Sequence, residues 1–153
     1  CPGQIVITGE ADAVEAASEA LKEAGAKRCI PLKVSGPFHS PLLNTAGEKL
    51  AEVLAPCKLS GLKIPYISNT LAEPVTDKTK IKDLLTRQIS SPVRWRESME
   101  ELIREGVDTF IEIGPGKTLS GFLKKIDRNA VVYSIQTMED LEKTVELLKG
   151  RNL

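Results

Sequence analysis

The sequence predicts an α/β chain in two parts, an α+β unit followed by a layer of parallel strands and covering helices. Short β-branched runs closed by Gly or Pro alternate with longer stretches whose apolar residues recur at helical spacing. In the second half that alternation becomes regular, strand then helix twice over, which suits a parallel layer. Apolar residues are 41% of the chain, enough to give both parts a core.

Gln4–Gly9 reads as a strand, β-branched and closed by glycine. Asp12–Ala24 reads as an amphipathic helix with Val14, Ala17, Ala20 or Leu21, and Ala24 on one face, ended by Gly25. Cys29–Val34 is a second strand, with Pro31 favouring an edge. Pro41–Leu54 is helical, its stripe formed by Leu42, Leu43, Ala46, Leu50, Val53 and Leu54, and Pro56 stops it. Ile64–Asn69 is a third strand and Glu73–Asp77 a turn. That β-α-β-α-β order is on the scale of a ferredoxin-like unit.

Beyond it, Ile81–Gln88 reads as a short helix. Ser91 and Pro92 carry the N-cap and first-turn signals of another, running to Glu105 before Gly106. Thr109–Ile113 is a strand, Gly114-Pro115-Gly116 a tight turn, Lys117–Ile126 a helix, Val131–Ile135 a strand and Glu139–Leu148 a closing helix.

Composition excludes several classes of function. Lys plus Arg and Asp plus Glu both total 21, so there is no net basic charge to drive nucleic-acid binding. No apolar run reaches the length of a membrane span. Cys1, Cys29 and Cys57 contain no close pair of the kind zinc sites use, and read as thiols of a reducing cytoplasm. Cys1-Pro2-Gly3-Gln4 runs directly into the first strand, as though the chain had been cut from something longer.

The candidate for chemistry is His39, the single histidine, in Val34-Ser35-Gly36-Pro37-Phe38-His39-Ser40. One imidazole cannot build a multi-histidine metal site; it can transfer a proton near neutral pH or hold a hydrogen bond. Gly36 and Pro37 make a rigid turn that projects the next side chains, and Phe38 supplies an apolar wall. A structural turn histidine is the plainer reading of the same residues. Gly114-Pro115-Gly116-Lys117, between a strand and a helix, could capture an anion at the helix N-terminus, but the spacing of a phosphate loop is missing and a tight turn is preferred. Asn69, Gln88, Arg94 and Trp95 are further polar or aromatic pocket candidates. No G-x-S-x-G nucleophile elbow occurs.

Four segments in order resemble the malonyl-CoA:acyl carrier protein transacylase family: residues 2–9, residues 34–40, Gln88 through Ser91-Pro92-Val93-Arg94-Trp95, and Glu112–Lys117. The resemblance implies an α/β-hydrolase-like large subdomain with a ferredoxin-like small subdomain. Residues 1–67 would be small subdomain with its following helix, and 68–153 the C-terminal part of the large one. It implies that His39 is the catalytic base and that the main-chain carbonyl of Gln88 holds the imidazole in its useful tautomer. Phe38 stands where related acyltransferases that prefer malonyl over methylmalonyl carry phenylalanine. The implied substrates are malonyl-CoA and acyl carrier protein, with coenzyme A entering as a substrate thioester and no cofactor or metal required. The family's nucleophilic serine, oxyanion glutamine and malonyl-binding arginine would lie upstream of position 1, so this chain alone is expected to be inactive and to need that upstream half. An acyltransferase domain of a polyketide synthase, or a non-catalytic α+β interaction module, are the alternative readings.

Overall fold

The computed structural model describes residues 1–150, arranged as two compact units: Val6–Arg94, and the stretch from Trp95 onward together with Cys1–Ile5.

In the first unit, helix α1 spans Ala11–Glu23. A single 3-10 turn, Pro41–Leu43, leads directly into helix α2, Asn44–Leu54. Strands β1 (Tyr66–Ile67) and β2 (Pro74–Val75) pair antiparallel, Tyr66 opposite Val75 and Ile67 opposite Pro74. The Asp77 carboxylate accepts from Thr79 N and starts the 3-10 turn Lys78–Lys80, which continues as helix α3, Ile81–Arg87. Val75, Ile81 and Leu84 form the core here, with Leu59, Tyr66, Leu71 and Leu85 packed around them. Helices α2 and α3 meet at Gly47, where a Cβ would come within 3.3 Å of the Thr86 carbonyl oxygen. Only glycine fits that approach without a shift.

In the second unit, helix α4 (Trp95–Arg104) ends at Gly106, which takes the left-handed conformation at φ 89°. Strand β3 (Thr109–Ile113), helix α5 (Thr118–Ile126) and strand β4 (Val131–Ile135) follow, the two strands parallel with Thr109 opposite Val131 and Ile113 opposite Ile135. Helix α6, Met138–Lys149, opens on a capping box in which Thr137 and Asp140 satisfy each other's backbone N–H groups. Met99, Leu123 and Ala130 are the buried centre, enclosed by Trp95, Leu102, Ile103, Phe110, Ile126 and Val132.

Five expectations need correction. Gln4–Gly9 and Cys29–Val34 form no strand; Ile5 is 91% and Ile30 67% exposed. β-branched residues favour a pleated surface only when a neighbouring strand takes up their backbone groups, and among the described residues these segments have none. The third strand shrinks to Tyr66–Ile67, behind Pro65, which has no N–H to give a ladder. Glu73–Asp77 is not only a turn, because Pro74–Val75 pairs with that strand. Ser91-Pro92 does not start a helix. The backbone N–H of Arg94 donates to Asn69 O at 3.0 Å, and the helix begins at Trp95.

Candidate active site

The loop before α2 and the turn after α3 build the site around His39. The C-terminal carbonyls of a helix lack intrahelical donors. At the end of α3 several are closed by the chain itself, with Gln88 N donating to Leu84 O and Ser90 N to Arg87 O. The next two carbonyls go to one residue. His39 donates its backbone N–H to Ile89 O at 3.1 Å, and its ring Nδ1 lies 2.9 Å from Gln88 O.

That contact settles the tautomer. A carbonyl oxygen can only accept, so Nδ1 carries a hydrogen, and in the neutral ring Nε2 then presents its lone pair. Nε2 has no hydrogen-bond partner among the described residues, and the side chain is exposed. An imidazole so held can take a proton at Nε2 and become a cation whose Nδ1–H stays on a carbonyl at the negative end of α3.

The clamp holds His39 in an uncommon conformation. Its φ is 60°, in the left-handed region, where the Cβ of an L-residue crowds the following carbonyl oxygen. Histidine is one of the few non-glycine types enriched there, which is the one sequence signal for it. Phe38 stands beside it, 52% exposed, its ring 3.8 Å from where a Cβ on Gly36 would sit. Ser40 is buried, and its hydroxyl donates to Pro37 O at 2.7 Å. No hydroxyl or thiol among the described residues hydrogen-bonds Nε2.

The other candidates fall elsewhere. Asn69 and Arg94 are tied together by their backbones, and Arg94 Nη1 donates to Leu71 O at 2.9 Å. Trp95 belongs to the core around Met99, with its indole N–H buried and without an acceptor among the described residues. The turn Gly114–Lys117 precedes a helix N-terminus that already holds an anion. The Glu112 carboxylate accepts from Leu119 N at 3.1 Å and Ser120 N at 2.9 Å, and also from the Ser120 hydroxyl. The Ser120 hydroxyl, then its amide, holds this carboxyl below its ordinary pKa. Gly116 N donates to Gln136 Oε1 at 2.8 Å, which fixes the turn. The tight-turn reading therefore prevails over phosphate capture. No cluster of three metal-ligating side chains occurs among the described residues, and no helix is long and apolar enough to cross a membrane.

The family described as the acyl transferase domain matches residues 1–143. The malonyl CoA-acyl carrier protein transacylase of Bacillus subtilis is 53% identical over 152 residues, which is 99% of this chain and 48% of that protein. The crystal structure of the malonyl CoA-acyl carrier protein transacylase from Clostridium perfringens superposes with a TM-score of 0.86 at 44% identity, covering 93% of this chain and 45% of that one. A type II PKS acyl-carrier protein has been solved in complex with its malonyl-transacylase, and that structure matches with a TM-score of 0.85 at 37% identity over 90% of this chain and 45% of the other. The chain thus spans about half the length of the relatives it matches.

Proposed function

This chain belongs to the acyl transferase domain family, and from that premise we propose that it is the histidine-bearing, C-terminal part of a malonyl-CoA:acyl carrier protein transacylase of cytoplasmic fatty acid synthesis. Residues 1–67 are then its share of the small subdomain and 68–153 its share of the large one. The upstream half supplies the nucleophilic serine, the oxyanion-hole glutamine and the arginine that pairs with the malonyl carboxylate.

In this reading the serine hydroxyl gives its proton to His39 Nε2 as its oxygen attacks the malonyl thioester carbon. The carbon–sulfur bond breaks, the coenzyme A sulfur leaves with the proton from His39, and the malonyl group remains as a serine ester. The phosphopantetheine thiol of acyl carrier protein then gives its proton to Nε2 and attacks that ester. The serine oxygen leaves and recovers the proton. Gln88 acts through its main-chain carbonyl, keeping Nδ1 protonated and steadying the imidazolium, the part a carboxylate plays in a hydrolase triad. Phe38 narrows the acyl site against a branched substrate.

The observation that carries the reading is the 2.9 Å contact of His39 Nδ1 with Gln88 O, which leaves Nε2 free to accept. Intact mass spectrometry after incubation with malonyl-CoA tests it. The chain alone should gain no malonyl mass. With the upstream half restored, the adduct should form there and His39→Ala should slow its formation. A malonyl adduct on this chain itself overturns the proposal.

A further inference from the structure

We infer that Ser40 is a positioning residue for His39, its buried hydroxyl closing the turn that keeps the imidazole on the Gln88 carbonyl. Ser40 is 5% exposed, whereas Phe38 and His39 on the same loop are exposed. A buried hydroxyl needs a partner, and this one donates to Pro37 O at 2.7 Å, reaching back across Phe38 and His39. The Ser40 carbonyl accepts from Leu43 N at 3.0 Å and starts the helical turn ahead of α2. Ser40 therefore joins the turn behind His39 to the helix in front of it.

His39 is held between those two ends at φ 60°, a conformation that persists only while its surroundings over-determine it. Loss of the hydroxyl frees the Pro37 carbonyl and opens the turn. His39 then relaxes toward negative φ, and its backbone N–H and Nδ1–H leave the carbonyls of Ile89 and Gln88 together. The ring loses the fixed Nδ1–H tautomer and populates both. Only the tautomer with Nε2 unprotonated can accept a proton there. Ser40 thus acts on proton transfer through His39 and touches no reacting atom. The kinetic consequence rests on the proposed function; the structural one does not.

His39 is the single histidine of the chain, so ring nitrogen-15 labelling gives one imidazole to follow by NMR, in the chain and again with an unlabelled upstream half. In its neutral imidazole the unsubstituted chain should show Nδ1 protonated and Nε2 unprotonated. Ser40→Ala should move both nitrogen signals toward the values of exchanging tautomers, and Ser40→Thr, which restores the hydroxyl, should return them. Ser40→Cys, of the same shape with a weaker donor, should shift them less in the same direction and serves if the alanine variant does not fold. In the restored enzyme Ser40→Ala should lower kcat roughly ten- to hundredfold with KM little changed, and Ser40→Thr should recover most of it. Unchanged ring signals in both the alanine and cysteine variants overturn the inference. So does a melting temperature that falls in Ser40→Ala while the tautomer stays fixed. Shifted signals in a restored enzyme that transfers no malonyl group would uphold the positioning role and overturn the proposed function instead.

Discussion

The ring Nδ1 of His39 and the main-chain carbonyl of Gln88, 49 residues apart, meet at 2.9 Å. An imidazole oriented by a backbone carbonyl differs from one oriented by a carboxylate in a way that mutation can read. The acceptor belongs to the peptide at the end of α3, so any residue that keeps that backbone keeps the acceptor.

Substitution at the two positions should therefore diverge. Gln88→Ala leaves the carbonyl in place and is expected to hold acyl-enzyme formation in the restored enzyme within a few-fold of the unsubstituted rate. His39→Ala removes the base and should cost about two to four orders of magnitude. Rapid-quench measurement of the malonyl adduct compares them. If Gln88→Ala falls as far as His39→Ala, the side chain and not the carbonyl does the work.

How far this arrangement was legible in the sequence depends on how local each part is. Strands β3 and β4 sit where their β-branched runs place them, and α6 begins within one residue of its expected start, because such signals lie inside the element. His39 is legible as the lone histidine after a rigid Gly-Pro turn. Its contact with Gln88 joins segments that no spacing rule connects, and only the family resemblance suggested it. The Glu112 cap has no local signal: a capping box lies three residues from its N-cap, while this carboxylate reaches across the turn from the preceding strand. Gln4–Gly9 and Cys29–Val34 have the composition of strands and form none, because β-branched composition records willingness to pair and a ladder also needs a partner.

In the proposed function Phe38 would set the acyl preference. One methyl in an apolar pocket discriminates by about 1–3 kcal/mol, roughly ten- to two-hundredfold. Phe38→Ser should relax the ratio of kcat/KM for malonyl-CoA over methylmalonyl-CoA by about tenfold or more, chiefly by raising the methylmalonyl value. An unchanged ratio would remove Phe38 from the acyl site. Melting curves should barely move, since the ring is half exposed.

Glu112 and Asp140 give the second unit an acid-sensitive edge. Hydrogen bonds lower both carboxyl pKa values, to Glu112 from the Ser120 hydroxyl and amide, and to Asp140 from the Gln136 amide and then the Thr137 hydroxyl. A carboxylate with a lowered folded pKa contributes stability that is present above its unfolded value, about 4 for these side chains, and is lost as pH falls through the folded one. Melting temperature should hold from pH 7 to about 5 and decline below about 4. Glu112→Gln should melt lower at pH 7 and decline less steeply in acid. Parallel acid limbs in the two proteins would show that the Glu112 cap is not what titrates.

The surface left uncovered predicts how the chain behaves on its own. Ile5, Ile30, Leu32, Val34 and Ile64 in the irregular segments and Ile113 at the end of β3 are all more than half exposed, Ile113 by 79%. β3 pairs with β4 alone among the described residues, and its Ile113 side chain is exposed. Strand edges and exposed apolar side chains favour association. Sedimentation velocity on the chain by itself should therefore show self-association that rises with concentration, and adding the upstream half should replace it with one discrete complex. Replacing Ile5 and Ile30 together with lysine should reduce the self-association of the isolated chain and weaken assembly with the upstream half. A cooperatively melting monomer at every concentration would mean that these side chains are covered in solution by this chain's own residues, and that the two β-rich segments find partners within it.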